Sequence, residues 1–392
     1  MNDQSARRQV LILASAQALF QTASVAVVTV GALAGSQIAA AAQLATAPVA
    51  SMMLGTALAT VPASLWMARA GRKPGFLFGA LLGVLGGLIA AAGIWQRSLI
   101  LLCSGTLLVG AYQGFAQFYR FAAAEVAEPA LRPRAIGWVL AGGVIAALLG
   151  PMLGRFGGPL LEPEYTGSFL LLALVSVLAL VLLSALRMPP PAAGADPGPA
   201  RPLSVIVRQP TYLVALFGAA TGFGAMVLAM TATPLAMVHH QHSVGAAATV
   251  IQLHVLGMFL PSFFTGSLIS RFGVVPIMLA GVALLAGHVL LTLSGTAFNS
   301  FASALVLLGV GWNFLYIGGT TLLTTTYTAA ERGRAQAAND LSIFLVGLAA
   351  SLSAGALLEF ASWQTLNVLL LPWLGLAAAA LVWLLYQRRV SP

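Results

Sequence analysis

The chain has 392 residues, 59% of them hydrophobic and 7% charged, with a mean hydropathy of +0.95. A soluble globule of this size cannot carry so little polar surface, so the composition excludes one and points to a polytopic all-α membrane protein. The net charge of +9 is spread over many segments rather than gathered in one patch, and it requires no nucleic-acid partner.

A membrane crossing needs about 20 apolar residues, and twelve such stretches follow one another along the chain. The first, Val10 to Ala34, ends in Ala32-Leu33-Ala34, which resembles a signal-peptide cleavage site. Its apolar run outlasts the roughly 7 to 15 residues of a signal h-region, so it is read as a retained helix. The others are Ala42 to Ala68, Phe76 to Trp95, Leu99 to Phe121, Ala135 to Arg155, Ser168 to Leu186, Thr211 to Ala236, Ala246 to Ser270, Val274 to Ser294, Phe301 to Leu323, Ala337 to Leu358 and Leu366 to Tyr386. With the N-terminus inside, the cytoplasmic segments hold Arg7, Arg8, Arg69, Arg72, Lys73, Arg132, Arg134, Arg187, Arg201, Arg208, Arg271, Arg332, Arg334, Arg388 and Arg389, and the outer ones only Arg97 and Arg155. That bias places both termini in the cytoplasm. The single cysteine, Cys103, allows no intrachain disulfide and is read as packing.

The chain repeats itself. Pro62 to Lys73 after the second stretch is matched by Gly266 to Gly273 after the eighth, an offset of 202, and Arg132-Pro133-Arg134-Ala135 recurs as Arg332-Gly333-Arg334-Ala335 at an offset of 200. Six helices have been duplicated in parallel. Residues 1–186 are therefore an N-terminal six-helix lobe and 211–392 a C-terminal one. Between them, 187–210 is a cytoplasmic linker that opens with the proline-rich run Arg187 to Pro202.

These features resemble the major facilitator superfamily. Arg69-x-Gly71-Arg72-Lys73 is similar to that family's loop motif, with Arg271 in the corresponding place of the second half. The usual acidic residue is Ala68 here, and the usual glycine is Ser64. Gly150-Pro151-x-x-Gly154 resembles a motif of its exporters, although a flexible kink that permits close helix contact explains it better. The resemblance implies two lobes that expose a central site to each side in turn.

Polar groups inside apolar spans are costly and mark function. Carboxylates are scarce there: Glu125, Glu128, Glu331 and Asp340 belong near the cytoplasmic face, and Glu162, Glu164 and Glu359 near the outer face. Nothing forms a catalytic set, so the chain is expected to be neither an enzyme nor dependent on a resident cofactor. Met226 and Met230 lie sixteen and twelve residues before His242, and His254 and Met258 twelve and sixteen after it. Residues four apart share a helix face, so antiparallel helices turning near His242 bring each pair to matching depths. Thioether and imidazole donors suit copper(I), while a methionine pair also fills apolar gaps and a buried histidine is also satisfied by a neighbouring helix.

Met226-x-x-x-Met230 with His254-x-x-x-Met258 resembles the CcoA-like copper importers of proteobacteria. That likeness implies uptake of copper ion across the bacterial inner membrane for cbb3-type cytochrome oxidase assembly, with a periplasmic or cytoplasmic copper carrier as partner and a monomeric protein. Relatives of that family include flavin importers. The alternative is therefore an importer of an aromatic solute such as riboflavin, with the methionines as apolar lining and Trp312 and Tyr316 stacking on the ring. His239, His240 and His242 in the outer loop are candidate capture ligands, and His288 is expected to be hydrogen-bonded structure. Met52, Met53 and Asn313 are candidate cavity-lining residues.

Overall fold

The computed structural model describes residues 3–40, 44, 47–188, 200–360 and 362–390, which are helical almost throughout, with no strand among them. In hydrocarbon no water pairs with backbone N–H and C=O groups, so each crossing must close its own hydrogen bonds as a helix. The first half comprises α1 (Asp3–Ile38), α2 (Ala47–Ala70), α3 (Arg72–Trp95), α4 (Leu99–Ala116), α5 (Tyr119–Val126), α6 (Arg132–Gly157) and α7 (Thr166–Ser184). A short α8 (Leu203–Val207) precedes α9 (Pro210–His239), α10 (Val244–Phe259), α11 (Ser262–Phe272), α12 (Val274–Leu293), α13 (Phe298–Leu323), α14 (Arg332–Phe360), α15 (Trp363–Val368) and α16 (Leu370–Val390). The centre of the expected linker, 189–199, lies outside the described residues, as do the side chains of Arg155, Glu359, Arg388 and Arg389.

Among the described residues, 11 helical spans are long and apolar enough to cross a membrane. The remaining expected crossing is α14, which has 29 residues; Arg332, Arg334 and Asp340 lie near its start, and residues 341–358 carry no charged side chain. Three crossings are built from two helices each: α4 with α5, α10 with α11, and α15 with α16. The break in the second falls at Pro261, which lacks the N–H to continue the ladder. Serines accept the first orphan amides of three helices: Ser98 from Leu101 at 3.4 Å, Ser243 from Ala246 at 3.1 Å and Ser362 from Thr365 at 3.1 Å.

The internal repeat has a backbone signature. Gly71 enters α3 at φ 95°, ψ 162°, and Gly273 enters α12 at φ 91°, ψ 157°. Positive φ at both demands a residue without Cβ.

By contact, the chain divides into two compact units. One comprises Met1–Ala127, Trp138–Gly198 and Arg332–Ala337, the other Glu128–Gly137, Pro199–Glu331 and Ala338–Pro392. In the first, α2 and α4 approach so closely that a Cβ at Gly55 would strike the Leu107 carbonyl and one at Gly110 the Met52 carbonyl. Along α6, Gly150 and Gly154 sit against Val25 and Val30 of α1, so the glycine-proline segment serves close packing here. In the second unit α13 is central and packs against α9, α10 and α12. Gly309 of α13 admits the backbone of His254 and Met258, and Gly311 abuts Gly281 of α12.

Candidate substrate site

One aromatic cluster of the second unit is built around α13. Leu305, Gly309, Trp312 and Tyr316 are spaced four, three and four apart, which sets them on one face. The Trp312 and Tyr316 rings stack with centroids 4.8 Å apart and 16° between their planes. Phe259 of α10 meets Trp312 edge-on at 5.7 Å, Phe223 of α9 stacks on Tyr316 at 6.4 Å, and Phe344 of α14 meets Phe223 edge-on at 5.8 Å. Five rings from four helices thus form one continuous array in the two geometries aromatic quadrupoles favour. The Trp312 indole N–H is buried without a hydrogen-bond partner among the described residues.

Asn313, expected to line a cavity, is instead a brace across the break between α10 and α11. Its Nδ2 donates to the Met258 carbonyl at 2.7 Å and to Ser262 Oγ at 2.6 Å, and its Oδ1 accepts from Thr265 at 2.7 Å. Met52 is buried in the first unit beside Ser24, Thr56 and Gln113, which bond one another, whereas Met53 is half exposed.

The four expected metal ligands are placed as follows. Met226 and Met258 are buried, Met230 is partly so, and His254 is fully buried. His254 turns to α13, and its Nδ1 lies 2.8 Å from the Leu305 carbonyl. A carbonyl only accepts, so Nδ1 carries the proton and the lone pair sits on Nε2. That Nε2 has no partner among the described residues. His242 Nε2 donates to the Thr296 carbonyl at 2.8 Å, while the His239 and His240 rings meet edge-on at 5.4 Å. No three His, Cys, Asp or Glu side chains among the described residues are grouped to hold a metal ion. His288 bonds the Ala304 carbonyl at 2.9 Å and the Asn367 amide at 2.8 Å, so it is a structural tie.

The cytoplasmic motif has a partner the sequence did not reveal. Glu125, at the end of α5, takes Arg72 Nη2 at 2.6 Å and Arg332 Nη1 at 3.2 Å, while Arg72 also reaches Gln336 at 2.6 Å. Lys73 donates to the Ser184 carbonyl, Ser64 to the Gly333 carbonyl, and Arg69 is exposed. Arg271 lies over the Phe272 ring at 5.2 Å. In the second unit Glu331 receives Arg201 Nε at 2.7 Å, and this contact, followed by the Thr328 and Arg201 backbone amides, holds its carboxyl down at about 2.

Eleven apolar spans among the described residues, a duplicated backbone turn and buried aromatic and polar groups between helices define a polytopic membrane protein. The Major Facilitator Superfamily profile matches residues 10–251 and again 217–392, so the chain belongs to that superfamily. Over 383 residues it is 42% identical to the riboflavin transporter RfnT of Brucella anthropi, spanning 96% of each chain. It is also 31% identical to the uncharacterized MFS-type transporter YdeG of Bacillus subtilis, over 92% of this chain and 88% of that one. Among solved structures it superposes on the human organic anion transporter MFSD10 with a TM-score of 0.77 at 16% identity, covering 96% of this chain and 99% of that one. With FucP in its outward conformation the TM-score is 0.74 at 16% identity, covering 96% and 99%.

These relations correct the expectation of copper import for oxidase assembly, and with it copper ion and a copper carrier as partners: a relative matching nearly end to end is a riboflavin transporter. What the comparisons show of the family resemblance is membership of the superfamily.

Proposed function

We propose that the chain imports riboflavin, or a close aromatic relative, across the cytoplasmic (inner) membrane of a bacterium by alternating access. The observation that carries this reading is the 42% identity over 96% of both chains to a named riboflavin transporter. The aromatic array on α13 suits such a cargo, because a flat three-ring solute is held best by stacked and edge-on rings. Residues 1–186 and 211–392 act as the two lobes, joined by 187–210, with both termini cytoplasmic as the arginine distribution favours. Arg69, Gly71, Arg72, Lys73 and Arg271 lie at the cytoplasmic gate, and the duplicated six-helix plan lets one copy work as a monomer.

A riboflavin-requiring bacterium that expresses the chain should grow on limiting riboflavin and accumulate labelled riboflavin. Trp312→Ala should raise the KM for uptake about tenfold, since a ring stacked on a base or solute is worth about 1–3 kcal/mol. Protein present in the membrane without riboflavin uptake would reject the proposal.

A further inference from the structure

Apart from the Thr321 hydroxyl, two hydrogen-bonding groups in α9 to α13 of the second unit are buried and unpaired among the described residues: Nε2 of His254 and the indole N–H of Trp312. Leaving such a group without a partner costs about 1–3 kcal/mol, and native interiors keep few of them. One is an acceptor and the other a donor, so each can be satisfied by a solute carrying the opposite group.

They also lie on one side of α13. His254 docks through Nδ1 on the Leu305 carbonyl and through its backbone against Gly309, and Leu305, Gly309 and Trp312 share a face. Leu305 and Trp312 are separated by about 10 Å of helix axis, and side chains lean toward the helix N-terminus, so the two free groups stand about 5–10 Å apart. Donor and acceptor on neighbouring atoms of a single imide edge reach partners no more than about 5 Å apart, the near end of that range. A ring carbonyl and a hydroxyl on a chain attached to the ring span the whole of it.

We propose that Nε2 of His254 accepts a hydrogen bond from a hydroxyl of the solute's polyol chain while Nε1 of Trp312 donates to a carbonyl of its ring. The assignment rests on the riboflavin reading above and identifies the polyol chain as the feature the C-terminal unit selects.

The test compares riboflavin with lumiflavin, which has a methyl group in place of the ribityl chain, in proteoliposomes holding the full chain. The wild type should prefer riboflavin about tenfold, the equivalent of one good hydrogen bond. His254→Asn keeps an N–H for the Leu305 carbonyl and removes the Nε2 acceptor. It should raise the riboflavin KM about tenfold and leave lumiflavin inhibition unchanged, erasing the preference. Trp312→Phe should weaken both ligands alike. If His254→Asn weakens both equally or neither, or if the wild type does not distinguish them, the assignment is wrong; the wild-type comparison decides even if His254→Asn fails to reach the membrane. Absence of riboflavin uptake by wild-type vesicles would instead bring down the transport reading, and this assignment with it.

Discussion

Met226 and Met258 are buried against α13-centred packing, where their length and lack of branching let them fill irregular gaps. Exchange of methionine for leucine conserves volume and costs less than about 1.5 kcal/mol, so Met226→Leu and Met258→Leu should keep the proposed riboflavin uptake within about twofold of wild type. A tenfold loss in either would show that sulfur itself matters. Glu331 has a distinct signature. Its carboxyl is depressed from 4.5 to about 2, so the Arg201 contact stabilises the protein above pH 4.5 and is lost as pH falls toward 2. Arg201 is 40% exposed, so after solvent screening the contact is worth no more than about 1 kcal/mol. Glu331→Gln should melt slightly below wild type in detergent at pH 7, the two converging near pH 2. The positions of the methionines and His254 could be read from the sequence, but their roles could not. A four-residue spacing fixes a helix face without saying which helix that face meets, and the partner of His254 is 51 residues away in the chain.

Helices were more legible than their joints. Each long apolar run became a helix because lipid leaves the backbone no alternative, and the repeat at offset 202 became the matched turns at Gly71 and Gly273. The break at Pro261 stayed hidden because the apolar stretch continues through it and its mending residues, Thr265 and Asn313, lie on two different helices. Alanine at Gly71 or Gly273 forces a Cβ into a positive-φ, extended-ψ region that is essentially glycine's alone, at a cost of about 1–3 kcal/mol. Differential scanning in detergent should show a similar loss for both variants, and an unchanged melting point would mean the turn relaxes. Gly110→Leu is a harsher change, because the side chain meets the Met52 carbonyl. Little of that variant should accumulate in the membrane.

For the whole molecule, Glu125 ties α3, α5 and the first turn of α14 through two arginines. Its side chain is 21% exposed and that of Arg72 only 2%, so Glu125→Gln leaves a buried guanidinium without its counter-charge and should cost about 3 kcal/mol. Thermal stability in detergent reads this directly, and a shift no larger than that of a surface carboxylate variant would remove Glu125 from its central place. The superfamily fold was legible from the duplicated motif and the helix count, whereas the cargo was not. Structures of very different transporters superpose at 16% identity, so the scaffold carries no record of what it moves. Five rings on four helices are invisible to any local motif, because Phe223 reaches Tyr316, Phe259 reaches Trp312 and Phe344 reaches Phe223 only after folding.

The charges at the head of α14 bear on how it is threaded. Arg332 and Arg334 precede residues 341–358, which carry no charged side chain, so the segment can enter lipid while the two arginines hold its start on the cytoplasmic side. A topology reporter fused after α14 should report one side of the membrane in the wild type and both sides in an Arg332→Glu, Arg334→Glu variant.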